Sequence, residues 1–256
     1  MGSIVMLYEF RGYLLPQHRK ISFPVDGNYH WKDGTGFTTD MSVNVTDSVI
    51  KIKCTTSRIA SDADVNQLRF RALGSVRAMT GAAAFITGLG ITPVLTTLIH
   101  PGGVEVPLDF KYPGLENLVT AFNTNADSFT ELCLMIGNDL RLLFVFNDLI
   151  ESIAEPLQAV VNCGRVLEGV RLIMSPAGTS KSEQWRIMQE KLNIARSYRE
   201  LVTDQSTGPR HADRTGVTDQ TFQTSLERTW TIMNRYLLFR KRGEAPLTAP
   251  EFDLLT

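Results

Sequence analysis

Apolar residues in the first part of the chain follow two rhythms. Between residues 4 and 54 they alternate or run together, as in IVMLYEFRGYLL and GFTTDMSVNVTDSVIKIKC, where Val43, Val45, Val49, Ile50 and Ile52 stand in partly alternating order. That spacing predicts strands, separated by the polar, turn-rich NYHWKDGTG. From 63 to 87 the period changes, and Val65, Leu68, Ala72, Val76, Met79, Ala83 and Ile86 recur at intervals of three and four. This predicts one long amphipathic helix, with Asp62 placed to cap its start and the glycines of Gly88-Leu89-Gly90 to end it. TPVLTTLI, the turn HPGG and VEVPLDF then read as a hairpin. Strands, a long helix and more strands predict a helix laid across one face of a sheet.

After YPG at 112–114 the strand signals stop, and four helical stretches follow. The first opens where Ser128 and Glu131 have capping-box spacing and runs to about Ala154. The second spans Pro156 to Met174, with proline in a first turn that does not need its N–H. The third runs from Glu183 to Val202, and the fourth from a cap at Thr218 or Asp219 to about Arg240. The expected architecture is α+β: a small N-terminal β-sheet domain with one long helix over residues 1–115, then an antiparallel four-helix bundle over 116–243. Residues 244–256 are expected to form a C-terminal tail that packs through Phe252 and Leu254.

Composition narrows the class. With 256 residues, 43% of them hydrophobic and 21% charged, the chain can bury a full core without disulfides or a structural metal. Cys54, Cys133 and Cys163 are odd in number and set in apolar surroundings, so they read as buried thiols of a reducing, cytoplasmic compartment. His18, His30, His100 and His211 are dispersed without HxxH, HExxH or CxxC spacing, so no metal or cofactor is expected. The start of the chain lacks a secretory pattern. The most apolar window, residues 82–99, is interrupted by Gly88, Gly90 and Pro93, which argues against a membrane span. A formal charge of −1 hides an asymmetry, since residues 185–242 carry 11 Lys/Arg against 6 Asp/Glu. One end of the molecule can therefore turn a positive face towards phosphates.

Short catalytic motifs are absent. DGTGFTTD lacks the third glycine and following helix of a phosphate loop, GLG follows a helix instead of preceding one, and there is no GxSxG. The helical half offers more. Trp185, Met188, Leu192, Ala195, Arg199 and Val202 share a stripe, so Arg199 projects from a face expected to be buried. Asn147 continues the stripe of Ile136, Leu140, Leu143, Ile150 and Ala154, while Glu168 lies beside Leu157, Val161, Gly164 and Arg171. Converging faces would pair Arg199 with Glu168, with Asn147 nearby, as a structural polar network. Next comes TDQSTGPRHADR, expected to turn at Gly208-Pro209 and to present Arg210, His211 and Arg214. His211 titrates near neutrality and suits proton transfer, and Arg199, Arg210 or Arg214 suits stabilisation of a charged phosphorane.

The segments VVNCGRVLEGVRLIM at 160–174, QWRIMQEKLNIARSYRELVTDQSTGPRHADR at 184–214 and RTWTIMNRYLLFRK at 228–241 together resemble the HEPN superfamily, named for higher eukaryotes and prokaryotes nucleotide-binding. The resemblance covers roughly residues 128–242, behind a small α+β N-terminal domain. It implies a bundle that pairs into a homodimer, works in prokaryotic stress or defence systems, and in active members cleaves RNA without metal through an Arg-x4–6-His motif. Here the positions that would supply that arginine to His211 hold Asp204, Gln205 and Ser206. The resemblance therefore points first to a non-catalytic module that binds RNA, a nucleotide or protein through Arg199, Arg210, His211 and Arg214. Two other readings stand beside it: a metal-independent endoribonuclease using His211 with Arg199 or Arg210, and a dimeric interaction protein whose N-terminal domain captures a protein partner.

Overall fold

The computed structural model describes residues 6–108, 120–211, 213 and 217–256. The chain divides into two compact units, 1–109 and 110–256. The boundary expected at 115 and the strand start expected at residue 4 lie outside the described residues.

The first unit holds β1 (Met6–Leu15), β2 (Gly27–Lys32), β3 (Thr38–Thr46), β4 (Val49–Thr56), α1 (Asp62–Thr87), β5 (Thr92–Ile99) and β6 (Glu105–Pro107). The strands form one antiparallel sheet in the order β2-β3-β4-β1-β5-β6. The alternation read in the sequence sets the buried face. Met41, Val43 and Val45 on β3 stand opposite Cys54, Ile52 and Ile50 on β4, and all six are buried. Asp47 and Ser48, both with positive φ, make the two-residue turn that joins these strands. Leu68, Ala72 and Val76 of α1 pack onto that face beside Phe10 and Leu14, but the apolar stripe does not stay buried to its end, because Ile86 is 81% exposed. The start of α1 is capped by Ser61 instead of Asp62. Ser61 Oγ accepts from the Asp64 backbone N–H while the Asp64 carboxylate accepts from the Ser61 backbone N–H, a complete capping box. Gly88 closes the helix in the left-handed region (φ 66°).

The second unit is helical: α2 (Ala126–Gly137), α3 (Leu140–Ala154), α4 (Pro156–Ile173), α5 (Lys181–Leu192), α6 (Arg196–Arg210) and α7 (Asp219–Lys241). The protein is thus α+β, with two of the four expected helices divided. The first breaks at Asn138-Asp139, where the Asp139 carboxylate accepts from the backbone N–H of Arg141 and Leu142 and starts α3 afresh. The third breaks at Asn193, whose φ of 52° is the left-handed conformation that asparagine tolerates better than most residues. The N-cap of α2 is Asn125, three residues ahead of Ser128. The turn expected at Gly208-Pro209 is instead the last turn of α6; a proline that close to the C-terminus removes only one hydrogen bond before the helix ends.

Helix α4 is central to the second unit. It packs against α3, α5, α6 and α7, and Ala159, Val160, Cys163, Val166, Leu167 and Val170 are buried. Its glycines set close approaches: a Cβ on Gly164 would lie 2.3 Å from both Ser206 Oγ and an Arg210 guanidinium nitrogen on α6. The outward stripe of α3 was misassigned by its periodicity. Leu142, Val145, Leu149 and Ser152 are buried, whereas Leu140, Asn147, Ile150 and Ala154 are exposed. Apolar residues nearly encircle this helix, so spacing alone does not single out the inner face. The tail packs through Leu247, Phe252 and Leu255, with Leu254 exposed. Ala195 donates its N–H to the Leu255 carbonyl, and Leu255 donates to the Asn193 carbonyl. The Arg235 guanidinium on α7 donates to the carbonyls of Leu192, Asn193 and Asp253, fastening the α5–α6 corner and the tail together. Cys54 and Cys163 are buried, and burial pushes their thiols up to about 12 and about 11. Cys133, expected to be buried, is exposed on α2.

Candidate anion-binding site

Trp185 on α5 is buried against two cations. The guanidinium carbon of Arg199 on α6 lies 4.5 Å from the indole ring centre, and that of Arg171 on α4 lies 5.0 Å from it. Both arginines are almost wholly buried, at 9% and 5% exposure. Partial pairing holds each in place. Arg171 Nη1 donates to Gln184 Oε1 at 2.6 Å, and Gln184 Nε2 donates in turn to the Thr179 carbonyl at 2.9 Å. Arg199 Nη2 donates to Glu200 Oε1 at 3.3 Å, an oxygen also held by Arg196 Nε at 2.6 Å. The Nε–H groups of both Arg171 and Arg199 are buried with no hydrogen-bond partner among the described residues. Burial lowers the Arg199 pKa below the usual arginine range; Glu200 opposes this and the neighbouring Arg196 and Arg171 charges add to it.

At the other end of the row sits Glu168. Arg210 Nη1 lies 3.4 Å and Lys181 Nζ 3.6 Å from its Oε1, with Arg171 Nη2 3.8 Å from its Oε2. The bare backbone of Gly164 leaves room for the Arg210 side chain. Arg199, Val202, Ser206 and Arg210 recur at helical spacing and line α6 towards α4, giving a row about 16 Å long at the rise of an α-helix. The cations Arg171, Lys181, Arg196, Arg199 and Arg210 outnumber the carboxylates Glu168, Glu200 and Asp204 along it. Chemically, this is a run of hydrogen-bond donors with excess positive charge, partly desolvated and backed by an aromatic face.

Residues 8–108 match the N-terminal domain, and residues 129–241 the C-terminal domain, of a family described as Domain of unknown function (DUF8168). The chain belongs to that family. No curated protein and no solved structure matches it. Every residue of the arginine row falls within the part matched to the DUF8168 C-terminal domain.

In this DUF8168 member the residues singled out from sequence are brought together only in part. Arg199 is buried as expected, but its carboxylate partner is Glu200, while Glu168 pairs with Arg210, Lys181 and Arg171. Asn147 is exposed on α3 and joins no such network among the described residues. His211 is exposed at the C-terminal cap of α6, where its backbone N–H donates to the Gly208 carbonyl. Because α6 is continuous, Arg199 and His211 lie about 18 Å apart along one helix. Within one chain they therefore do not share a reacting centre. Arg214 lies outside the described residues. Arg171, Lys181, Gln184 and the π face of Trp185 join the site without having been singled out for it. The only sequence signal for Arg171 was its place on the stripe of Gly164 and Glu168.

Proposed function

We propose that this protein is a non-catalytic binding module for phosphate-containing ligands, an RNA strand or a nucleotide, held along the Arg171–Arg199–Arg210 row. One observation carries the reading: two largely buried guanidinium groups lie over one indole, repel each other, and are each only partly paired. A bound oxyanion at the guanidinium Nη groups supplies the charge that their partial pairing leaves unmet. Lys181 and Arg196 at the rim add longer-range attraction for a polyanion. The proposal includes the HEPN-like affiliation, a cytoplasmic setting supported by three free thiols, and pairing of two copies through the helical unit.

The test is binding of a fluorescein-labelled oligoadenylate at several salt concentrations, with ATP as competitor. Three to four phosphate contacts predict a slope of about −2 to −3 in log affinity against log salt. Arg171→Ala and Arg199→Ala are each expected to weaken binding about tenfold or more, as loss of a charge-assisted hydrogen bond does. Displacement by ATP at micromolar concentration identifies a nucleotide site, and retention of the oligonucleotide identifies a strand site. RNA is expected to stay intact in EDTA. Salt-independent binding, or wild-type affinity in both variants, overturns the reading.

A further inference from the structure

The two ends of the arginine row hold their carboxylates differently. At one end Arg196 Nε closes on Glu200 at 2.6 Å, with Arg199 as a second cation. At the other, three cations share Glu168 and none comes nearer to it than 3.4 Å, whereas a charge-assisted hydrogen bond closes to about 2.7–2.9 Å. The corner is assembled from three helices, since Arg171 and Glu168 stand on α4, Lys181 is the first residue of α5 and Arg210 the last of α6. Arg171 depends on it most. Its Nη1 bond goes to the uncharged Gln184, and Glu168 is the only carboxylate paired with it among the described residues. The corner is also open to solvent, with the Lys181 side chain 68% exposed and that of Glu168 33% exposed.

Three cations on one carboxylate leave two positive charges unmatched. An internal phosphodiester carries one negative charge, as Glu168 does, so it gains little by displacing that carboxylate and leaves a positive charge over if it binds beside it. A phosphate monoester carries about −1.5 to −2 at neutral pH and presents three acceptor oxygens, which matches both the charge and the three separate donors. Resting on the phosphate-binding reading above, we infer that the Glu168 corner seats the terminal, dianionic phosphate of the ligand. Glu168 is the specificity-determining residue of this seat: a fixed competitor for Arg171, Lys181 and Arg210 that disfavours single phosphodiesters and yields to a monoester. The row thereby gains a direction, with the ligand's phosphorylated end at Arg210 and its body running towards Arg199.

The probes are unlabelled oligoadenylates of equal length ending in a 5′-phosphate or a 5′-hydroxyl, together with AMP, each displacing the fluorescein-labelled oligoadenylate from the full chain. The wild type is expected to bind the 5′-phosphate strand about tenfold more tightly than the 5′-hydroxyl strand, as one added charge-assisted hydrogen bond does. With that preference in place, AMP competing as well as the phosphorylated strand assigns the seat to a free nucleotide, and weaker competition assigns it to a strand end. Glu168→Gln keeps the shape and an acceptor oxygen but removes the charge. It is expected to bind the 5′-hydroxyl strand about threefold more tightly and to narrow the preference. Lys181→Met, at an exposed position, is expected to reduce the preference about threefold and decides alone if Glu168→Gln does not fold. Salt-dependent binding with equal affinity for the two ends overturns this inference and leaves the phosphate-binding reading standing. Weaker binding of the 5′-hydroxyl strand by a folded Glu168→Gln makes Glu168 part of the scaffold and overturns it as well, whereas no salt-dependent binding of any probe overturns both.

Discussion

At Gly164 a single hydrogen atom in place of a side chain sets the spacing of two helices. Gly164→Ala drives a methyl group into Ser206 and the Arg210 guanidinium. This is expected to destabilise the protein by about 1–3 kcal/mol, the usual cost of overpacking, and to weaken oligonucleotide binding as Arg210 leaves Glu168. Thermal melting and the binding titration check both parts. Arg199 gives a contrasting expectation. Its guanidinium is desolvated and only partly paired, so Arg199→Met removes a charge that the fold holds at a cost. The variant's melting temperature is expected to equal or exceed the wild type's while its phosphate binding is lost. A melting temperature lowered in proportion to the lost affinity would assign Arg199 to the scaffold instead.

Helix ends are where most of the local chemistry resides. Asp139 starts α3 and receives Arg240 Nη1 at 3.1 Å. Burial tends to raise its pKa, but the bonds from Arg240 and from the backbone of Leu142 and Arg141 outweigh that and hold it below the usual carboxylate range. The unfolded chain then binds the proton more readily than the folded one, so this contribution is fully present above about pH 4 and is lost as pH falls through the folded pKa. Asp139→Asn is expected to cost about 1 kcal/mol at neutral pH, as a weakened cap does. Urea titrations of wild type and variant should converge at the acid end, and a gap that persists unchanged at pH 2 would refute the linkage. Legibility from sequence divides along the same line. Long periodic stretches such as 63–87 and 156–174 declare themselves, because burial of one face dominates both pattern and fold. The breaks at Asp139 and Asn193 do not, because one polar side chain ends a helix without disturbing the hydrophobic spacing on either side. The site suffered most from this: Arg199 was legible as a misplaced cation on an apolar stripe, but its neighbours Arg171 and Trp185 meet it only through packing of α4, α5 and α6.

For the molecule as a whole, the stripe of α3 assigned to the core is turned outward. Leu140 and Ile150 of that stripe are 63% and 41% exposed and Phe144 beside them is 62% exposed, and the proposed pairing of two copies would cover this apolar patch. Phe144→Glu is therefore expected to convert a dimer to a monomer in light scattering while leaving the circular dichroism spectrum unchanged; a wild-type chain that is monomeric at tens of micromolar would remove this expectation. Among the described residues no helix is long and apolar enough to cross a membrane.

Arg235 stands on α7, outside the arginine row, and its three carbonyl bonds brace the α5–α6 corner from which α6 leaves. Aim and grip are thus encoded in different helices. In a genetic screen for lost binding, lesions at Arg235 should resemble lesions at Arg199, but only the former should be rescued by second-site changes that stiffen the corner. Variation in α7 is therefore expected to retune the proposed binding along α6 without altering a residue of the row.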